Sequence, residues 1–396
     1  MKIIHILSLL LLAGFCGSLQ AQQFNRQHVK ISYDKGTTAG NKKNFTYKNL
    51  RLYPIRASKT FLKDSKNIGK YTPLKVALKT KKVVITEQSA PSNVTTNPNT
   101  NNVRGSVDTT TQRSSNTVST RVRRLHRVDT AQVRQARRQH RQHQVQRRNV
   151  YLPQNIQNRR GGSSASVNNL YIENKSQDTL YIMAGEIVQG GKQDRVIAQD
   201  MVIPPNSGKI NLSVFCVEKG RWSYKKSKNK DNFDGYYGVS SIALRKVVDT
   251  EQKQQKVWKE VERSNAKNAV KSGTSAYTEQ KKNAKFKKEY LAYTHFFKNK
   301  FKGKSNVIGV IVATGDRVVG CDMFASPHLF QSQYQNLLGS YINEAVTDGA
   351  PVQIAEAKVE KYMSDLLDKE LKNETELKKK GKVFKHNRKK LHVSKY

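Results

Sequence analysis

Between residues 166 and 220 the chain alternates short apolar runs with clusters of turn formers. VNNLYIENKS, DTLYIMAGEIVQGG, RVIAQDMVIPPNSG and KINLSVFCVEKG follow one another as β-type segments, broken by polar turns at 174–178 and 204–208. A double proline does not sit in a central strand, and runs bounded in this way read as antiparallel strands rather than βαβ units. The period then changes. Residues 249–267 place Val257, Trp258 and Val261 on an otherwise charged surface, the thin stripe of an amphipathic helix, and 275–297 is a second, lysine-rich helical stretch. SNVIGVIVATGDRVVGCDMF predicts two strands around a Gly315–Asp316 turn. Helices are expected from Pro327 towards Tyr341 or Ala345, and over QIAEAKVEKYMSDLLDKELKN. The pattern predicts an α+β fold, an antiparallel, β-sandwich-like sheet unit with packed helices spanning residues 166–372.

The flanks read differently. In 22–87, YTPLKVALKTKKVVITE sets β-branched residues on either side of a lysine pair and predicts a strand or hairpin. This segment is too polar to bury a core alone, so it is expected to pack its strands onto the later domain or to form a small β-containing unit. Residues 88–165 are poor in large apolar side chains and cannot repay the entropy of ordering, which predicts a disordered basic linker. Within it, 121–148 hold ten arginines and no lysine. The planar guanidinium fork suits phosphate or carboxylate oxygens, so this stretch reads as a polyanion-binding arm or, equally, as a solvated spacer. Residues 373–396 read as a basic tail whose main large apolar side chains are Phe384 and Leu391.

Charge and the first residues add a location. Lys2, an apolar run from Ile3 to Phe15 and small residues up to Ala21 match an export signal cleaved after Ala21. That run falls short of the roughly 20 residues a membrane-spanning helix needs, and no later stretch reaches that length. The chain carries 72 Lys and Arg against 30 Asp and Glu, a net charge of +42. An excess of this size repels itself unless a polyanion matches it. The expectation is an exported protein, periplasmic, outer-membrane-associated or extracellular. Its partner is then an anionic polymer (glycan, lipid headgroup or extracellular nucleic acid) or an envelope protein assembly.

Candidate chemistry is sparse. No metal-ligand spacing and no cofactor fingerprint occurs: GEIVQGGKQD lacks the spacing of a phosphate loop, and no Ser or Thr follows Lys192. Gly190 and Gly191 nonetheless allow main-chain N–H groups to approach an anion. Lys192, Gln193, Asp194 and Arg195 follow at once and, with Arg221 and Trp222, make up the expected ligand-binding set; pairing with the domain's own carboxylates is the competing reading. Acidic residues in apolar context are Glu186, Asp194, Glu218, Asp316 and Asp322. Glu186 and Glu218 are the candidate acid–base pair, with Arg195 or Arg221 to clamp a substrate. Cys216 and Cys321 lie in strand-like surroundings, where an oxidising compartment permits one disulfide and burial as free thiols is equally consistent. A nucleophilic Cys216 would want a histidine, and 166–372 contain only His295 and His328.

Three segments carry a resemblance. GEIVQGGKQDR, VIPPNSGKINLSVFCVEKGRW and VIGVIVATGDRVVGCDMFASPHLFQ resemble the ARG and rhodanese-phosphatase-superfamily-associated domains, a prokaryotic family of uncharacterised function, over roughly residues 168–346. The matching positions include Gly185, Glu186, Gly190, Gly191, Gln193, Asp194, Arg195, Cys216, Glu218, Gly220, Arg221, Trp222, Gly309, Gly320, Asp322 and Phe324. The family's name hints at nucleotide or ADP-ribose chemistry through its gene neighbours, and an export signal weakens that hint. The leading expectation is thus a non-enzymatic envelope or surface protein that binds an anionic polymer or docks in an assembly. The alternative is a hydrolase of a glycosyl, ribosyl or phosphate-containing substrate, using a carboxylate and arginine pocket.

Overall fold

The computed structural model describes residues 24–33, 44–88, 168–220, 231–271 and 273–396. The export segment, the arginine-rich arm, Arg221 and Trp222 lie outside the described residues. The N-terminal part supplies β1 (Val29–Ile31), β2 (Thr46–Tyr47), β3 (Leu50–Ala57), α1 (Lys59–Ser65), β4 (Thr72–Pro73), α2 (Leu74–Lys79) and β5 (Val83–Glu87). There follow β6 (Asn169–Asn174), β7 (Leu180–Ile182), β8 (Glu186–Gln189), β9 (Arg195–Ile197), β10 (Met201–Ile203), β11 (Ile210–Cys216) and β12 (Gly235–Val239). Helices α3 (Ile242–Lys246), α4 (Gln254–Lys267) and α5 (Ala284–Phe297) precede the hairpin β13 (Val307–Thr314) and β14 (Arg317–Phe324). The chain closes with α6 (Pro327–Thr347), α7 (Glu356–Ser364), α8 (Glu374–Lys378), β15 (Gly381–His386) and β16 (Lys389–Lys395). The result is a mixed α+β fold of antiparallel sheets packed against helices.

Among the described residues the strands form three sheets. The largest runs β1-β3-β13-β14-β16-β15, with β2 added to β3; a second runs β12-β8-β9-β11-β6-β5; a third, β10-β7-β4, contains a parallel pair, β4 with β7. Strand β13 explains why the large sheet holds together. All eight of its residues are buried, because successive side chains enter opposite cores. Val310 and Val312 join the cluster of Leu337, Leu338, Tyr341 and Ile342 from α6. Ile308, Ile311 and Ala313 join the one that contains Phe61 of α1 and Val359 and Met363 of α7. A strand buried on both faces reads as an unbroken apolar run, as VIGVIVAT does.

Two expectations change. The run expected as a strand or hairpin at 71–87 contains α2, because Leu74 and Ala77 fall three apart on one buried helical face. The 373–396 stretch is not a tail. It folds into α8 and the β15–β16 hairpin, and β16 lies inside the large sheet between β14 and β15. Leu391, His392, Val393 and Ser394 are all fully buried. Lysine content misled here, since the neighbours that cover this strand lie far away in sequence.

An L391A variant is expected to lose about 2–5 kcal/mol of stability, the usual cost of a large-to-small change in a packed core. Equilibrium denaturation checks this; an unchanged midpoint would restore the tail.

Candidate active site

Alternation along the last strands builds a cluster of charges. Asp322 pairs across the sheet with Ser394, Phe324 with His392, Lys382 with Ser394 and Phe384 with His392. Cross-strand partners share a face, so these side chains come together on one side of the sheet. The His392 ring lies flat on Phe324, with centroids 4.3 Å apart. Tyr181 of β7 stacks on Phe384, and Asp200, Arg245 and Tyr341 reach in from outside the sheet.

The two nitrogens of His392 each meet a carboxylate: Nδ1 is 3.0 Å from Asp200 Oδ2, and Nε2 is 3.0 Å from Asp322 Oδ1. A ring with a proton on both nitrogens satisfies both contacts. Asp322 also takes Arg245 through two nitrogens at 2.6 and 3.0 Å, the Tyr341 hydroxyl at 2.8 Å and the Ser394 hydroxyl at 2.8 Å. Asp200 accepts from the Tyr181 hydroxyl at 2.5 Å, the Ala184 N–H at 2.8 Å and Lys382 Nζ at 2.5 Å. Lys382 also reaches Asp249 at 3.3 Å, and Tyr396 donates to Asp249 at 2.5 Å. Three carboxylates thus face Arg245, Lys382 and the imidazole of His392.

Burial by itself raises a carboxyl group's pKa. For Asp322 burial is outweighed by the charge of Arg245 and by bonds from His392 and Arg245, so its carboxyl stays well below the usual range. For Asp200 the same burial is overcome by Lys382 and His392, and it too remains ionised. Glu186 goes the other way. Burial pushes it up to about 7, only partly offset by the N–H of Met183 and the hydroxyl of Tyr236, while the charge on Asp200 adds to the rise. Glu186 and Asp200 are held on successive amides, Met183 N–H and Ala184 N–H, each at 2.8 Å.

The residues expected as a site divide. Glu186 belongs with Asp200. Glu218 belongs to the glycine turn, where its carboxylate receives the Asp194 N–H at 3.4 Å and its carbonyl receives Gln193 Nε2 at 2.8 Å. Arg195 faces Glu87 and the Gln193 carbonyl, Asp194 accepts from Thr278, and the Lys192 N–H bonds Glu87. Asp316 is exposed beside Lys358. Cys216 and Cys321 are both buried and free, so the disulfide does not form; burial raises both thiols. A surface depression lined by Lys298, Lys302, Gln331 and Gln335 shares no residue with the charge cluster. No group of three or more metal-ligating side chains occurs among the described residues.

Asp200, Arg245, Lys382 and His392 escaped the sequence reading. His392 was hidden by its place in a basic stretch, although the alternation of His392 and Ser394 on β16, continued by Tyr396 just past its end, was a visible signal. The leading expectation, a non-enzymatic protein defined by surface charge, is overturned by this interior array of acid–base groups.

Glu186 binds its proton more tightly in the folded chain than in the unfolded one. Stability linked to it is therefore full below the unfolded value of 4.5 and is lost as pH rises through about 7. Relative to E186Q, the wild type is expected to lose about 3 kcal/mol across that window, measured by chemical denaturation at successive pH values. Parallel stability curves would contradict the assignment.

No curated protein and no solved structure matches the chain. The matched region nevertheless runs well past residue 346 and takes in the C-terminal hairpin. The chain belongs to the ARG and rhodanese-phosphatase-superfamily-associated protein domain family, whose model matches residues 159–394 and so spans Tyr181, Glu186, Asp200, Arg245, Asp322 and His392.

Proposed function

We propose that the protein is a hydrolase of a glycosyl, ribosyl or phosphate-containing substrate, working by general acid–base chemistry at Glu186 and Asp200. The observation that carries this reading is the pair of carboxyl groups on successive amides whose pKa values are driven apart. Carboxyl groups split in this way by their surroundings mark the acid and base of many hydrolytic sites. Glu186, protonated near neutral pH, is suited to donate to a leaving group, and ionised Asp200 to draw a proton from water.

His392 and Tyr181 fix the Asp200 carboxylate, and Asp322 with Arg245 fixes His392 from its far side. Buried ion networks add little net stability over apolar packing, so their concentration beside Glu186 favours chemistry over scaffolding. Substrate enters from the β15 edge. Lys382, on that edge strand, keeps 16% of its side chain exposed while Asp200 keeps 1%.

The test is release of nitrophenol from nitrophenyl glycosides, ribosides and phosphates by wild type, E186Q and D200N, with thermal melting to verify folding. Turnover is expected to fall as pH rises through about 7, and E186Q is expected to lose about 100-fold or more. Equal turnover by folded E186Q and wild type, or none from any of the three substrate classes, would sink the proposal.

A further inference from the structure

The turn between β8 and β9 is shaped around a carboxylate from elsewhere in the chain. Gly190 and Gly191 adopt φ values of +136° and +51°, which side chains disfavour. A Cβ on Gly191 would lie 2.7 Å from Glu87 Oε1 and 2.6 Å from the Phe233 ring, so the absence of a side chain is what admits both. That oxygen accepts the Lys192 N–H at 2.9 Å and lies 3.5 Å from Arg195 Nη2.

Arg195 is almost sealed, with 1% of its side chain exposed. Its Nη1 donates to the carbonyl and the side-chain oxygen of Gln193 at 2.8 and 3.3 Å. Its Nε is buried with no hydrogen-bond partner. The Nε–Nη2 edge of a guanidinium is the fork that grips two oxygens of an oxyanion side by side. Glu87 engages one prong, at the long limit of a hydrogen bond, and leaves the other bare. Its backbone is held in the ladder opposite Leu170, which limits how far the carboxylate advances.

Two donors therefore meet Glu87, Lys192 N–H and Arg195 Nη2, and a third, Arg195 Nε, lies on the same guanidinium edge without a partner. A carboxylate has two oxygens. A tetrahedral phosphate offers one oxygen to each donor and still neutralises the guanidinium. We propose that this turn is a phosphate-binding site in which Glu87 is a resident stand-in that phosphate displaces. Asp194 is engaged elsewhere in the turn, its carboxylate accepting the Thr278 hydroxyl at 2.7 Å and the Gly190 N–H at 3.4 Å. The site shares no residue with Glu186 and Asp200.

The probe is the Arg195 Nε–H resonance in the full chain, assigned by its loss in R195K and followed by NMR. Sodium phosphate is titrated against sodium acetate at constant ionic strength, which removes general attraction to the basic surface from the comparison. Phosphate is expected to shift the resonance saturably, with a midpoint about tenfold lower in E87Q than in wild type, where the tethered carboxylate competes. Equal midpoints in the two proteins, no shift, or acetate acting as well as phosphate would overturn the proposal. If E87Q does not fold, E87D, which keeps the charge but withdraws the oxygen, carries the same comparison, and an unchanged midpoint there overturns it too.

Discussion

Most of the arrangement depends on one constraint: charges placed inside a sheet-and-helix core must be matched there. Strands β14, β15 and β16 place Asp322, Lys382, His392 and Ser394 on one buried face. An isolated ion in such surroundings is prohibitively costly, so each needs a partner of opposite sign and its remaining hydrogen bonds. The partners come from four other places: Asp200 before β10, Arg245 on α3, Asp249 after it, and Tyr341 on α6. That matching ties the C-terminal hairpin to the middle of the chain. It also dictates how the smaller sheets and α6 meet the large one.

The same matching fixes the protonation states that give the cluster its chemistry. Lys382 and His392 hold Asp200 ionised, and the resulting negative charge helps to keep a proton on Glu186. An acid and a base are thus produced from two residues of nearly equal intrinsic acidity, by their neighbours alone. A second charged neighbourhood, around Arg195, follows a different logic. There a buried guanidinium is only partly satisfied, and the deficit is of donors without oxygens rather than of uncompensated charge.

The elements with strong local patterns were readable in the sequence. The β13–β14 hairpin announced itself through β-branched runs around Gly315 and Asp316, and α6 through its start at Pro327. Glu186 and Asp322 stood out as acids in apolar company. The C-terminal strands did not, because KVFKHNRKKLHVSKY has the composition of a solvated segment. Its burial is decided by residues that only the fold brings near: His392 meets Asp322 and Asp200, and Lys382 meets Asp249. Local composition reports what a residue prefers when alone, whereas these residues are stabilised by distant partners. Glu87, which occupies the glycine turn, lies in a segment read separately from it.

The central claim is that neighbouring amides hold two carboxyl groups in opposite protonation states. Carbon-13 NMR of side-chain carboxyl carbons, assigned through E186Q and D200N, follows both groups directly as pH is changed. The account predicts that Glu186 titrates with a midpoint of about 7 and that Asp200 remains ionised as pH falls below the ordinary carboxylate value of 3.8. Ordinary carboxylate titration of both groups would contradict it.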